Sequence, residues 1–129
     1  GRLADLTKIL ADNDIDIKAS TIADTVDFGI LRCIVPDPEA ATKILKEAGF
    51  TASITEVVAV SIEDSPGGLH KVLKVLADNE IGVDYIYSTI RAKDDRAVIM
   101  IKVEDPAKAI EILKANDIRL VDTVELTSN

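Results

Sequence analysis

The residues best suited to chemistry in this chain are Asp64-Ser65-Pro66-Gly67-Gly68-Leu69, which stand between a β-rich run and an apolar helical pattern. Pro66 suits the first turn of a helix, Ser65 is a natural N-cap, and the two glycines clear side chains from a place of close approach. A helix that starts this way offers unpaired backbone amides and the positive end of its dipole to an anion such as a carboxylate. The chemistry expected is non-covalent binding. The same turn equally serves to start a helix and nothing more, and both readings stand at this point.

Other reactive residue types lead nowhere. Asp27-Phe28-Gly29 spells the magnesium motif of protein kinases, but the remaining kinase elements are missing and the triplet falls in an expected hairpin. His70 has no second His, no Cys nearby in sequence and no acidic partner at a recognised spacing, so it reads as a surface position on a helix. Cys33 alternates with Leu31 and Val35 on one strand face, as a buried small apolar residue would. Asp94-Asp95 and Glu63-Asp64 are adjacent carboxylates, and adjacency is not the facing geometry of an acid–base pair. Tyr85 and Tyr87 share a strand face that lines a pocket, a domain interface or the core. With no nucleophile–base set and no metal cluster, neither catalytic residues nor a cofactor is expected.

Composition narrows the partners. A net charge of −8 argues against nucleic acid, where affinity comes from Lys and Arg displacing counterions, and against an anionic membrane surface. With 47% hydrophobic residues but only Phe28, Phe50, Tyr85 and Tyr87 as aromatics, the core must be aliphatic. The lone Cys33 cannot form an internal disulfide, which fits a reducing cytoplasm. No apolar stretch approaches the roughly 20 residues of a membrane span, and no signal peptide is visible. Gly1 is not an initiator, so the sequence reads as a trimmed product.

The elements that position the turn come in two copies. Gly1 to Ile17 matches Gly67 to Val83 at an offset of 66, with Gly1/Gly67, Leu3/Leu69, Lys8/Lys74, Leu10/Leu76, Asn13/Asn79 and Ile15/Ile81 among the identical pairs. Further on the offset becomes 68, where Asp37-Pro38 faces Asp105-Pro106 and Ile44-Leu45-Lys46 faces Ile112-Leu113-Lys114. A shift of two residues between matched blocks is a turn of different length in one duplicated fold. Each copy reads as a helix, strands over 15–24 or 82–91, strands over 28–35 or 97–103, a second helix capped by Asp37 or Asp105, and a last strand over 51–56 or 118–126. The helices are expected to end near Gly49 and Asn116, residues that tolerate left-handed closure.

With the strand over 57–63, the second copy is β-α-β-β-α-β, the ferredoxin-like α+β plan, two helices on one face of a four-stranded antiparallel sheet. The units expected are residues 1–56 and 57–129. One unit of this size buries only around 60% of its surface, so two are expected to pair. The first unit lacks the strand that should precede Gly1 and lie inside its sheet. About ten further residues ahead of Gly1, or a strand from another chain, are expected to fill the gap.

A strand, then Asp-x-Pro-Gly-x-Leu opening a helix, then a short strand of Ile-x-Ile type, in this topology, resembles the ACT domain family. The likeness covers essentially the whole chain and resembles stand-alone proteins built from two ACT domains. It implies a regulatory protein that binds an amino acid between paired domains, with the loop of one domain facing the second strand of its neighbour. Carried over, the ligand-binding positions are Asp64, Ser65, Pro66, Gly67, Gly68 and Leu69, and in the first copy Gly1, Arg2 and Leu3. The position between the two Ile-type residues, often Asn in the family, is Asp16 in the first unit and Gly82 in the second. A zwitterion needs amide donors for its carboxylate and an acceptor for its ammonium, so the pairing that uses Asp16 is the better site. A homodimer, and a separate protein that receives the signal, are the partners implied.

Three rivals share the topology. An acylphosphatase-like enzyme would need a complete phosphate loop, and only Arg2 points that way. RNA binding on the sheet would need stacking aromatics. The third rival, a structural pair of ACT-like domains that assembles and binds no metabolite, meets no obstacle in the sequence.

Overall fold

The computed structural model describes residues 1–24, 29–89 and 95–129. Asp27 and Phe28 of the kinase-like triplet, Asp94, and the expected strand residues 90 and 91 lie outside the described residues. Along the chain run α1 (Arg2–Asp12), β1 (Ala19–Asp24), β2 (Gly29–Ile34), α2 (Pro38–Glu47), β3 (Ala52–Glu56), β4 (Val58–Glu63), α3 (Gly68–Asp78), β5 (Val83–Ser88), β6 (Arg96–Val103), α4 (Pro106–Ala115), β7 (Arg119–Val121) and β8 (Val124–Ser128). They form two four-stranded sheets, ordered β1-β2-β8-β3 and β5-β6-β4-β7.

Caps set the helix boundaries. Asp37 and Asp105 each accept a hydrogen bond at 3.1 Å, from the amides of Ala40 and Lys108, with Pro38 and Pro106 opening the helices. All four helices close in one way. The residue after the C-cap is left-handed (Asp14, Gly49, Glu80 and Asp117, φ 56°, 90°, 59° and 58°), and the amide of the apolar residue that follows reaches back five residues. Ile15 donates to the Leu10 carbonyl at 2.9 Å and Ile118 to that of Leu113 at 3.0 Å, so each closure buries an apolar side chain while satisfying a terminal carbonyl. The left-handed residue of α4 is therefore Asp117, one beyond the expected Asn116. These closures also delay the strands. Residues 15–18 complete the helix exit, and β1 begins at Ala19 rather than Ile15.

The last strand departs furthest from expectation. The run over 118–126 is broken at Asp122-Thr123 into β7, which pairs with β4, and β8, which pairs antiparallel with β2 through Leu31↔Ser128, Arg32↔Thr127 and Cys33↔Leu126. Residues 124–129, expected in the second unit, belong to the first. Unit 1 is Gly1–Thr55 with Val124–Asn129, and unit 2 is Glu56–Thr123. β8 thus holds the inner place, between β2 and β3, that an added segment or another chain was expected to supply. Its backbone groups pair on both sides there, the condition for burying a strand.

Each unit has its own core. In unit 1 Leu6 and Leu10 of α1, Ala41 and Leu45 of α2, and Cys33 and Leu126 of the sheet are buried together. In unit 2 Val60, Leu76, Ile101 and Leu113 play the same part. Glu125, on the opposite face of β8 from Leu126, is fully buried, with Arg32 Nε 4.0 Å from its carboxylate.

Cys33 is fully buried as expected, and burial, aided by the nearby Glu125 charge, pushes its thiol from 9.0 up to about 12. Folding favours the neutral thiol, so its contribution to stability is complete below pH 9.0 and is lost as pH rises toward about 12. The native protein should leave a thiol reagent unconsumed at pH near 8, and denaturant should release one equivalent. Prompt reaction of the folded protein would contradict this packing.

Candidate ligand-binding site

The turn from β4 into α3 is built by its own backbone. The Ser65 amide donates to the Glu63 carbonyl at 2.9 Å, the Ser65 carbonyl accepts from Gly68 at 3.1 Å, and the Asp64 amide donates to the Asp95 carbonyl at 2.9 Å. Gly67 takes the N-cap place in the left-handed region, φ 91°. Ser65 therefore does not cap the helix. Its backbone is spent on the turn, and α3 starts later than Pro66 suggested, with no side-chain cap at all. The close approach expected of the glycines is real at Gly68, where a Cβ would stand 2.4 Å from the Glu63 carbonyl oxygen. Asp64, Ser65, Pro66 and Gly67 are exposed, while Leu69 is half-buried against the unit 2 core.

What results is an uncapped first turn beside an exposed reversal. Beside it lies a cavity of about 340 Å³, lined by Glu63, Asp64, Ser65, Asp95 and Arg96. Arg96 escaped the sequence reading. Its Nε donates to Ser61 Oγ at 2.8 Å and its Nη2 to the Ser61 carbonyl at 2.7 Å, which holds the guanidinium beside the turn. The available signal was a basic residue at the start of a strand directly after the Asp94-Asp95 pair. Uncapped amides and a fixed guanidinium can take a carboxylate, and the carboxylates opposite can take a donor.

The first copy is built differently. Gly1 is the N-cap of α1, again without a side-chain cap. Arg2 lies over the Phe50 ring, 4.3 Å from its centroid, and donates from Nη2 to the Asn129 carbonyl at 3.2 Å, while Leu3 is exposed. The place of the continuous turn of unit 2 is thus taken by two separate segments, the start of α1 and the residue after β8.

Asp16 and Gly82 were expected on strands. Both are exposed and sit in the connections from α1 to β1 and from α3 to β5, because the left-handed closures hold the chain outside the sheet until Ala19 and Val83. Asp16 belongs to unit 1, whereas the turn over 64–69 and Arg96 belong to unit 2. His70 is exposed on α3. Tyr85 and Tyr87 stack with ring centroids 6.3 Å apart, and Tyr87 pairs with Met100, whose neighbour Ile101 faces the helices. The tyrosine pair therefore lies on the sheet face away from the helices. No helix among the described residues is long and apolar enough to cross a membrane.

The chain resembles proteins of known structure. A model described as an ACT domain pair matches residues 1–128. No curated protein matches the sequence. The crystal structure of protein BT0572 from Bacteroides thetaiotaomicron is 40% identical, with a TM-score of 0.87, over 94% of this chain and 83% of that one. ACT domains are regulatory domains that generally bind small-molecule ligands. The duplicated ferredoxin-like units, the Asp-x-Pro-Gly-x-Leu turn and the match over residues 1–128 place this chain in the ACT domain family, as a pair of ACT domains.

Proposed function

We propose that this chain is a regulatory protein that binds an amino acid and catalyses nothing. The observation that carries the reading is the start of α3, a first turn with no side-chain cap that follows the exposed residues 64–67, in the turn by which the family is recognised. The ligand carboxylate takes the amides of Gly67 and Leu69, which donate to no backbone carbonyl among the described residues, and Asp16 of a paired ACT domain takes the ammonium group. Ligand held in this way favours whichever pairing of domains or chains binds it better, and a separate partner in the cytoplasm reads the change.

Thermal melts against the twenty amino acids test this. A ligand that binds only the native state stabilises it by about 2.7 kcal/mol at one hundred times its dissociation constant, a shift easily read in the melting point. Asp16→Ala should abolish that shift. A flat panel would support the assembly role instead, and an unchanged shift in Asp16→Ala would remove this carboxylate from the site.

A further inference from the structure

We propose that unit 2 carries a second binding site, for a small oxyanion, at the open end of β4, adjoining the turn over 64–69 and sharing Glu63 and Arg96 with the cavity beside that turn. β7 pairs with β4 only at Ala59, Val60 and Ser61, whereas β4 runs on to Glu63. The last residues of this inner strand have no strand beside them on that side. A cavity of about 310 Å³ opens there, bounded by Gly68 where α3 begins and by Asp117 where α4 closes. Its size lies at the small end of metabolite pockets, which run from about 300 to 1,000 Å³.

Its charges carry the inference. Lys71 of α3, Arg96 of β6 and Arg119 of β7 all line this one cavity, in a chain whose net charge is −8. Arg96 donates to the neutral Ser61 and makes no ion pair within 4.0 Å among the described residues. Among the described residues, neither Lys71 nor Arg119 makes an ion pair within 4.0 Å or a side-chain hydrogen bond, although Glu63 and Asp117 line the same space. The lining carries three cations against two carboxylates, and an anion taken up among the cations lowers their mutual repulsion. Two guanidinium groups and an ammonium match a carboxylate or a phosphate, through forked and single hydrogen bonds respectively.

The test uses the full chain, at fixed ionic strength, titrated with inorganic phosphate and separately with succinate. Binding is followed by calorimetry and by amide chemical shifts. At least one probe should bind and move the amides of residues 61–63, 68–71, 96 and 117–119. Phosphate alone would identify a phosphate ester as the ligand class, and succinate alone a carboxylate. Lys71→Gln with Arg119→Gln, both on exposed side chains, should weaken binding about tenfold or more. Asp16→Ala should leave it unchanged, which separates this site from the amino-acid site. No binding of either probe, shifts confined elsewhere, equal affinity in the double variant, or loss in Asp16→Ala would each overturn the proposal.

Discussion

Gly68→Ala is expected to destabilise the protein by about 2 to 3 kcal/mol, the range for forcing an atom into space that cannot open. The new Cβ would meet the Glu63 carbonyl oxygen at 2.4 Å, and a backbone carbonyl at the end of an inner strand cannot swing aside as a side chain would. The helix start or the strand end must move, and either change opens the turn over 64–69. Gly67 is the internal control. An added Cβ there meets nothing within 4 Å, and only the left-handed backbone, φ 91°, opposes it. Gly67→Ala should therefore lose about 1 kcal/mol. Denaturant midpoints of the two variants decide the matter. Equal small losses would mean that α3 does not lie as close to β4 as the structure has it.

Leu126→Ala should have an effect as large and a different distribution. Leu126 is 1% exposed in the core of unit 1, and truncation of such a residue costs about 2 to 5 kcal/mol. Its neighbours in sequence up to Thr123 belong to unit 2, so the distribution of the loss is informative. Hydrogen exchange should quicken in α1, α2 and β1 to β3, and far less in β4 to β6. Faster exchange centred on unit 2 would show that the last strand is not the inner strand of the first sheet.

The parts of this fold legible from sequence are those fixed by neighbours in the chain. Asp37-Pro38 and Asp105-Pro106 start helices through bonds to amides three residues on, and the repeat made one unit's pattern a check on the other's. The destination of Val124 to Ser128 was not legible, because an alternating apolar run shows which residues share a face but not which sheet receives them. Asp122-Thr123 broke that run, yet a break reads equally as a bulge. At the site, Gly68 was anticipated because close approach demands the residue itself. The convergence of Lys71, Arg96 and Arg119 was not, since these three are separated along the chain and meet only through strand order. Ser65 misled because serine favours both caps and turns, and its backbone was already committed to the turn.

The placement of β8 also sets an order of events during synthesis. Residues 56–123 hold every strand and helix of unit 2, so that unit can fold as soon as they leave the ribosome. The sheet of unit 1 closes later, although residues 1–55 precede unit 2, because its inner strand β8 follows unit 2 along the chain. Pairing β8 with β2 joins residues as distant in sequence as Leu31 and Ser128, and such long-range closure is slow in folding.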